Sequence, residues 1–104
     1  MHHKLMVKAR REAIRWHLLS IANISRPEGI NTSAMLAVIQ GVYPDATHAE
    51  IRCEIDYLAE RDLVAIKKDP LDQWFIKLTR YGIDVVEYTV DVEPGINRPL
   101  ITQG

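Results

Sequence analysis

"DATHAEIRCEIDYLAERDLV", residues 45–64, is the stretch on which the reading of this chain turns. Thr47-His48-Ala49-Glu50 has the form of a capping box: Thr47 caps a helix, and the Glu50 side chain reaches back to the Thr47 N–H. Ile51, Ile55 and Leu58 then recur at the spacing of one helical face. The helix is expected to stop near Arg61-Asp62, and Leu63-Val64 to open a strand. The stretch holds six carboxylates and only two arginines. A helix so acidic, running directly into a strand, raises the question of what its outer surface is for.

Toward the C-terminus, "LVAIK" (63–67) and "QWFIKL" (73–78) are rich in branched and aromatic residues and predict two strands. "KDPLD" between them carries a proline that suits a hairpin tip and not a central strand. Thr79 is placed to cap a last helix, "RYGIDVVEYTV", with Ile83, Val86 and Val90 inward. "DVEPGINRPLITQG" (91–104) has two prolines and two glycines and is expected to be extended.

Toward the N-terminus, residues 5–24 predict a helix on the spacing of Ile14, Leu18, Ile21 and Ala22, with Trp16 and His17 on its flanks. "SRPEG" (25–29) stops it. A short second helix follows in "INTSAMLAVIQGVYPDA", capped by Asn31 or Thr32, with Leu36 and Ile39 inward and Met35 or Val38 beside them. Gly41 and Pro44 close it.

The order is therefore helix, helix, helix, hairpin, helix. That is a mainly α chain with a β-hairpin wing: a winged helix-turn-helix (α-α-α-β-β-α) over residues 1–90, with an extended tail over 91–104. The bulk numbers agree with one soluble domain. The chain has 104 residues, 47% of them hydrophobic and 26% charged. A net charge of −1 lacks the strongly basic balance of the simplest nucleic-acid binders, though local basic patches remain compatible with it. A single cysteine, Cys53, leaves no internal disulfide to form. No apolar run approaches a membrane span, and "MHHKLMVKARR" lacks the apolar centre of a secretory signal, so a cytoplasmic protein without a membrane partner is expected.

"IDYLAERDLVAIKKDPLDQWFIKLTRYGIDVVEY" (55–88) is similar to the recognition-helix-to-wing segment of many bacterial winged-helix transcriptional regulators. The residues that carry the likeness are Leu58, Leu63 and Val64, followed after the wing by Leu78, Thr79 and Gly82. The whole chain also resembles small winged-helix proteins of Mu-like phages and prophages, through its layout and "GIDVVEYTVDVEPGINRP" (82–99). That resemblance implies a phage or prophage product.

On a helical wheel with Ile51, Ile55 and Leu58 facing the core, Ala49, Cys53, Asp56 and Glu60 face outward, flanked by Arg52 and Tyr57. His48 and Ala49 lie at the end that touches base edges in recognition helices, and Arg52 suits a bidentate contact to guanine. Glu54 falls at the edge of the core. Lys67, Lys68 and Lys77 of the hairpin are candidate phosphate contacts, as are Arg10 and Arg11 in the basic run Lys8, Arg10, Arg11, Arg15. The bland readings are lysines that protect a strand edge and a solvated helix face. Trp74, Ile76 and Leu78 alternate with Phe75 and Lys77, so each hairpin face presents an aromatic residue, and a second subunit is expected to cover one.

His2, His3, His17, His48 and Cys53 show no metal-type spacing, and no phosphate loop or nucleophile elbow is present. A non-enzyme without a cofactor is expected. Two functions stay open. One is a homodimeric protein binding double-stranded DNA through His48, Ala49 and Arg52, with the lysines on phosphates, that regulates phage or prophage genes. The other is a protein-binding winged-helix adaptor in phage assembly or a regulatory complex, whose tail from about Asp91 docks on a partner or on the other subunit.

Overall fold

The computed structural model describes residues 2–101. Four helices, α1 (His2–Ile24), α2 (Thr32–Gln40), α3 (His48–Glu60) and α4 (Arg80–Val86), pack with strands β1 (Ile30–Asn31), β2 (Val64–Lys68) and β3 (Trp74–Leu78). The strands form one antiparallel sheet in the order β1-β3-β2. This mainly helical arrangement with a small sheet is compatible with a winged helix. The two-residue strand β1 was not expected. It pairs Ile30 with Ile76 and Asn31 with Phe75, turning the hairpin into a three-stranded sheet.

The helix starts follow from their caps. The Asn31 side chain accepts the Ala34 N–H at 2.8 Å, which settles the choice between Asn31 and Thr32. Thr47 accepts the Glu50 N–H at 3.2 Å, and Thr79 accepts the Gly82 N–H at 3.0 Å. At the other end of α3, Asp62 takes the left-handed conformation (φ 60°), which aspartate tolerates, and its carbonyl receives the Thr79 hydroxyl. The link from α3 into β2 is thus tied to the cap of α4.

The core forms where the helical stripes meet the inner face of the sheet. Ile14, Leu18, Ile21 and Ala22 of α1, Ile51, Ile55 and Leu58 of α3, and Trp74 and Ile76 of β3 are buried as their periodicity predicts. Met35 is buried from α2, whereas Val38 is exposed. Helix α4 departs from expectation. It ends at Val86 instead of running to Val90, and its fully buried positions are Gly82 and Val85, with Ile83 and Val86 half-buried. Tyr88 then adopts φ 61°, which no regular helix continues through, and its ring packs edge-on to Trp16 with centroids 6.1 Å apart. Gly82 is required by proximity, since a Cβ there would lie 2.0 Å from the Leu63 carbonyl oxygen.

Residues 91–101 have no regular structure, as expected of an extended segment, but 94–99 are docked on the chain's own domain. Ile96 is buried in the core. The Asn97 N–H donates to the Glu12 carbonyl of α1. Arg98 donates to the carbonyls of Val85 and Val90 and lies over the Tyr88 ring, whose hydroxyl donates to the Pro99 carbonyl. The remainder of the tail, 102–104, lies outside the described residues.

Candidate nucleic-acid interface

Helix α3 lies between α1 on one side and the β2–β3 hairpin on the other, and each neighbour neutralises charges on it. On the α1 side, the guanidinium of Arg10 donates to both Glu50 oxygens at 2.8 and 2.9 Å and to Asp45 at 3.0 Å. Glu50 therefore spends its carboxylate on Arg10 and not on the Thr47 N–H, so only the Thr47 half of the expected capping box forms. Hydrogen bonds from Arg10 to Glu50, then Asp45, hold its guanidinium protonated beyond the ordinary arginine range. One turn further along, Arg15 donates to the buried Glu54 at 2.8 Å and to the Gly95 carbonyl of the tail at 2.8 Å. Its guanidinium lies 3.5 Å from the centre of the Tyr57 ring, and Arg61 stacks on the same ring at 3.4 Å.

On the hairpin side, Arg52 donates to the Asp72 carboxylate at 3.1 Å and to the Asp72 carbonyl at 2.7 Å. It also sits 4.7 Å from the centre of the Trp74 ring. Its Nε is buried without a hydrogen-bond partner among the described residues. The Arg52 guanidinium and the Trp74 N–H lower the Asp72 carboxyl below its ordinary value of 3.8. Asp69 folds the tip by accepting the N–H groups of Leu71 and Gln73, both at 2.9 Å. The wing is accordingly bolted to α3.

The candidate residues divide into three groups. His48 and Ala49 are exposed on the first turn of α3, with Cys53 one turn on. Arg52 borders this face but is held by Asp72. Lys68 lies on the same side of the hairpin, 4.4 Å from the Trp74 ring centre. Lys67 and Lys77 belong to the opposite face of the sheet with Phe75, because Lys67 pairs with Phe75 and Lys77 with Ala65 in register. The stem of Lys77 and the edge of Phe75 crowd Gly29, whose φ of +92° and lack of a Cβ let them approach. Phe75, 38% exposed, is thus partly covered by the chain's own turn, where a second subunit was expected. Arg11 is exposed, whereas its neighbour Arg10 is committed to α3.

Helix α3 is therefore less acidic at its surface than in sequence. Glu50 and Glu54 are paired with arginines, and Asp45 shares Arg10. Asp56 and Glu60 remain exposed on its C-terminal half with no ion pair among the described residues. The outer face thus has an N-terminal half of small residues beside Arg52 and Lys68, where Arg10 is shared by Asp45 and Glu50 and one negative charge is left over, and a more acidic C-terminal half. Sequence reasoning missed the α1–α3 pairs, although one signal was present: Arg10 and Arg15 are spaced much as Glu50 and Glu54 are.

Among the described residues, no group of three or more His, Cys, Asp or Glu is arranged to hold a metal ion, and no helix is long and apolar enough to cross a membrane. No protein-family model matches the chain, and no curated protein is detectably similar to it.

Proposed function

We propose that this chain is a winged helix-turn-helix protein that binds double-stranded DNA through the N-terminal half of α3 and serves as a transcriptional regulator of phage or prophage genes. The observation that carries the DNA reading is the neutralisation of Glu50 and Glu54 by Arg10 and Arg15. It offsets the charges of Glu50 and Glu54 in the half of a recognition helix that meets base edges, with exposed Asp45 sharing Arg10, and leaves the small residues Ala49 and Cys53 for close approach. Arg52 would read a base only by exchanging Asp72 for it. The regulatory role rests on the resemblance to bacterial winged-helix transcriptional regulators, and the phage or prophage origin on the resemblance to small winged-helix proteins of Mu-like phages.

The test is fluorescence anisotropy with a random-sequence duplex, at low and then moderate salt. Binding that weakens linearly in log–log form supports phosphate contacts; no binding at low salt overturns the proposal. Once a preferred site is found, Arg52→Glu should abolish the preference, and an unchanged preference would remove Arg52 from the interface.

A second reading, a protein-binding adaptor, is favoured by Asp56 and Glu60 on the same helix, which are exposed and without an ion pair among the described residues. The tail does not strengthen it, because residues 94–99 are already occupied by α1, α3 and α4.

A further inference from the structure

The stripe of α1 that buries Ile14, Leu18 and Ala22 continues toward the N-terminus with different chemistry. At 100° per residue, Lys4, Val7, Lys8 and Arg11 fall on the same side of the helix as that stripe. Yet no residue from 3 to 13 is buried. The ion pairs explain why. Arg10 meets the start of α3 at Asp45 and Glu50, and Arg15 meets Glu54 a turn later, so α3 begins level with Arg10. Residues 2–9 of α1 overhang it. The side of the helix that would face a core there faces open space.

That space is an open groove of about 650 Å³ lined by Lys4, Val7, Lys8, Arg11, Glu12 and the tail residues Pro94 and Gly95, with Arg15 at its inner end. Lys4, Lys8 and Arg11 are all exposed, and none forms an ion pair among the described residues. Arg10 and Arg15 on the same helix are both paired. Glu12 is the one acid that lines the groove. Two further clefts join Arg11 to Cys53 on α3, one past Asp45 and Glu50 and the other bordered by Asp56 and Glu60, so the cationic stripe ends beside carboxylates of α3.

We infer that the overhanging inner face of α1, through Lys4, Lys8 and Arg11, is a second contact surface for the phosphodiester backbone of a DNA duplex. This rests on the DNA reading above. A duplex seated on the first turn of α3 lies at the end past which α1 projects. It meets three unpaired cations spread over roughly 10 Å of helix axis, given a rise of about 1.5 Å per residue. Lysine and arginine heads on flexible stems suit phosphate and carry no base specificity, so this surface adds affinity and register. Sequence recognition stays with α3. The DNA would then be held from the α1 side, with the wing on the other flank of α3.

The experiment compares the full chain with the triple variant Lys4→Gln/Lys8→Gln/Arg11→Gln, and with Arg26→Gln as a control from the far turn. Anisotropy with a random-sequence duplex is followed over a series of salt concentrations. Each lost phosphate contact lowers the slope of log K against log salt by about 0.9, so the triple variant should be shallower by about 2 to 3 while Arg26→Gln matches the parent. Cys53 supplies a second readout, being the only cysteine and exposed beside Arg11. Its reaction with a thiol reagent should slow on duplex binding, and less so in the triple variant at the same duplex concentration. Parent-like slopes in the triple variant overturn the inference and leave the proposed function standing. Failure of the parent to bind at low salt overturns both. Binding of polyglutamate but not duplex, lost in the triple variant, would assign the groove to acidic peptide and also overturn it.

Discussion

Replacing Arg15 by methionine tests how the acidic helix is tolerated. The Arg15 and Glu54 side chains are only 12% and 3% exposed, and their N–O distance is 2.8 Å. Methionine keeps much of the stem volume but leaves the Glu54 carboxylate buried without its cation. Removing one member of a buried pair costs about 3–5 kcal/mol, most of it the uncompensated charge. The loss also includes the hydrogen bond to the Gly95 carbonyl and the stack on Tyr57. Because Arg15 retains some contact with water, the lower part of that range applies, about 3 kcal/mol. In a domain of this size that corresponds to a fall in Tm of roughly 12–24 °C. Urea unfolding followed by circular dichroism measures it. The double variant Arg15→Met/Glu54→Leu should recover most of the stability, since an apolar replacement removes the stranded charge as well. A cost below about 1 kcal/mol for Arg15→Met, or a double variant no more stable than the single one, would refute the reasoning, for either result would mean that Glu54 reaches water or another cation.

Two further predictions concern the wing and the tail. Asp72 has a lowered carboxyl pKa in the folded chain, so its link to Arg52 is present above the ordinary value of 3.8 and is lost only as pH falls through the still lower folded value. The Trp74 indole N–H resonance should therefore shift with a midpoint below 3.8, and not at all in Asp72→Asn; a midpoint at or above 3.8 would contradict the Arg52 contact. Ile96→Ala should destabilise the domain by about 2 kcal/mol, the low end for a buried isoleucine because the site lies at the rim of the core, whereas a loss under about 0.5 kcal/mol in urea unfolding would show the tail to be bound only weakly.

What could be read from the sequence was local. The stripes Ile14–Leu18–Ala22 and Ile51–Ile55–Leu58, the alternation of Trp74, Ile76 and Leu78, and the caps Thr47 and Thr79 all depend on neighbours within a few residues, and all are realised. What could not be read was paired at a distance. Strand β1 is two residues long and exists because Ile76 and Phe75 lie beside it, so no periodicity could announce it. Ile96 is a lone apolar residue between Pro94-Gly95 and Asn97-Arg98-Pro99, and its burial accompanies bonds that tie those neighbours to α1, α3 and α4. In the candidate interface, a helical wheel placed Ala49 and Cys53 on the outer face correctly, and His48, assigned by its place at the helix start, is exposed there. The wheel could not show that Arg10 and Arg15 are spent on carboxylates some 40 residues away. Strand alternation already separated Lys77 from Trp74, and the register adds that Lys67 shares the Lys77 side and Lys68 the Trp74 side.

The bolted wing has a consequence for the thermodynamics of any encounter on this surface. A hairpin whose tip is closed by Asp69 and whose flank is fixed by Arg52, Asp72 and Trp74 has little freedom left to lose. A loop that must be ordered by its ligand gives up about 0.5–1.5 kcal/mol for each long side chain it immobilises, and that loss is subtracted from affinity. Here folding has already borne it. Binding that leaves the Arg52–Asp72 contact in place should therefore resemble the docking of a rigid body, and calorimetry should find little of the unfavourable ordering entropy that accompanies a flexible wing; a base contact that takes Arg52 from Asp72 gives up part of that advantage.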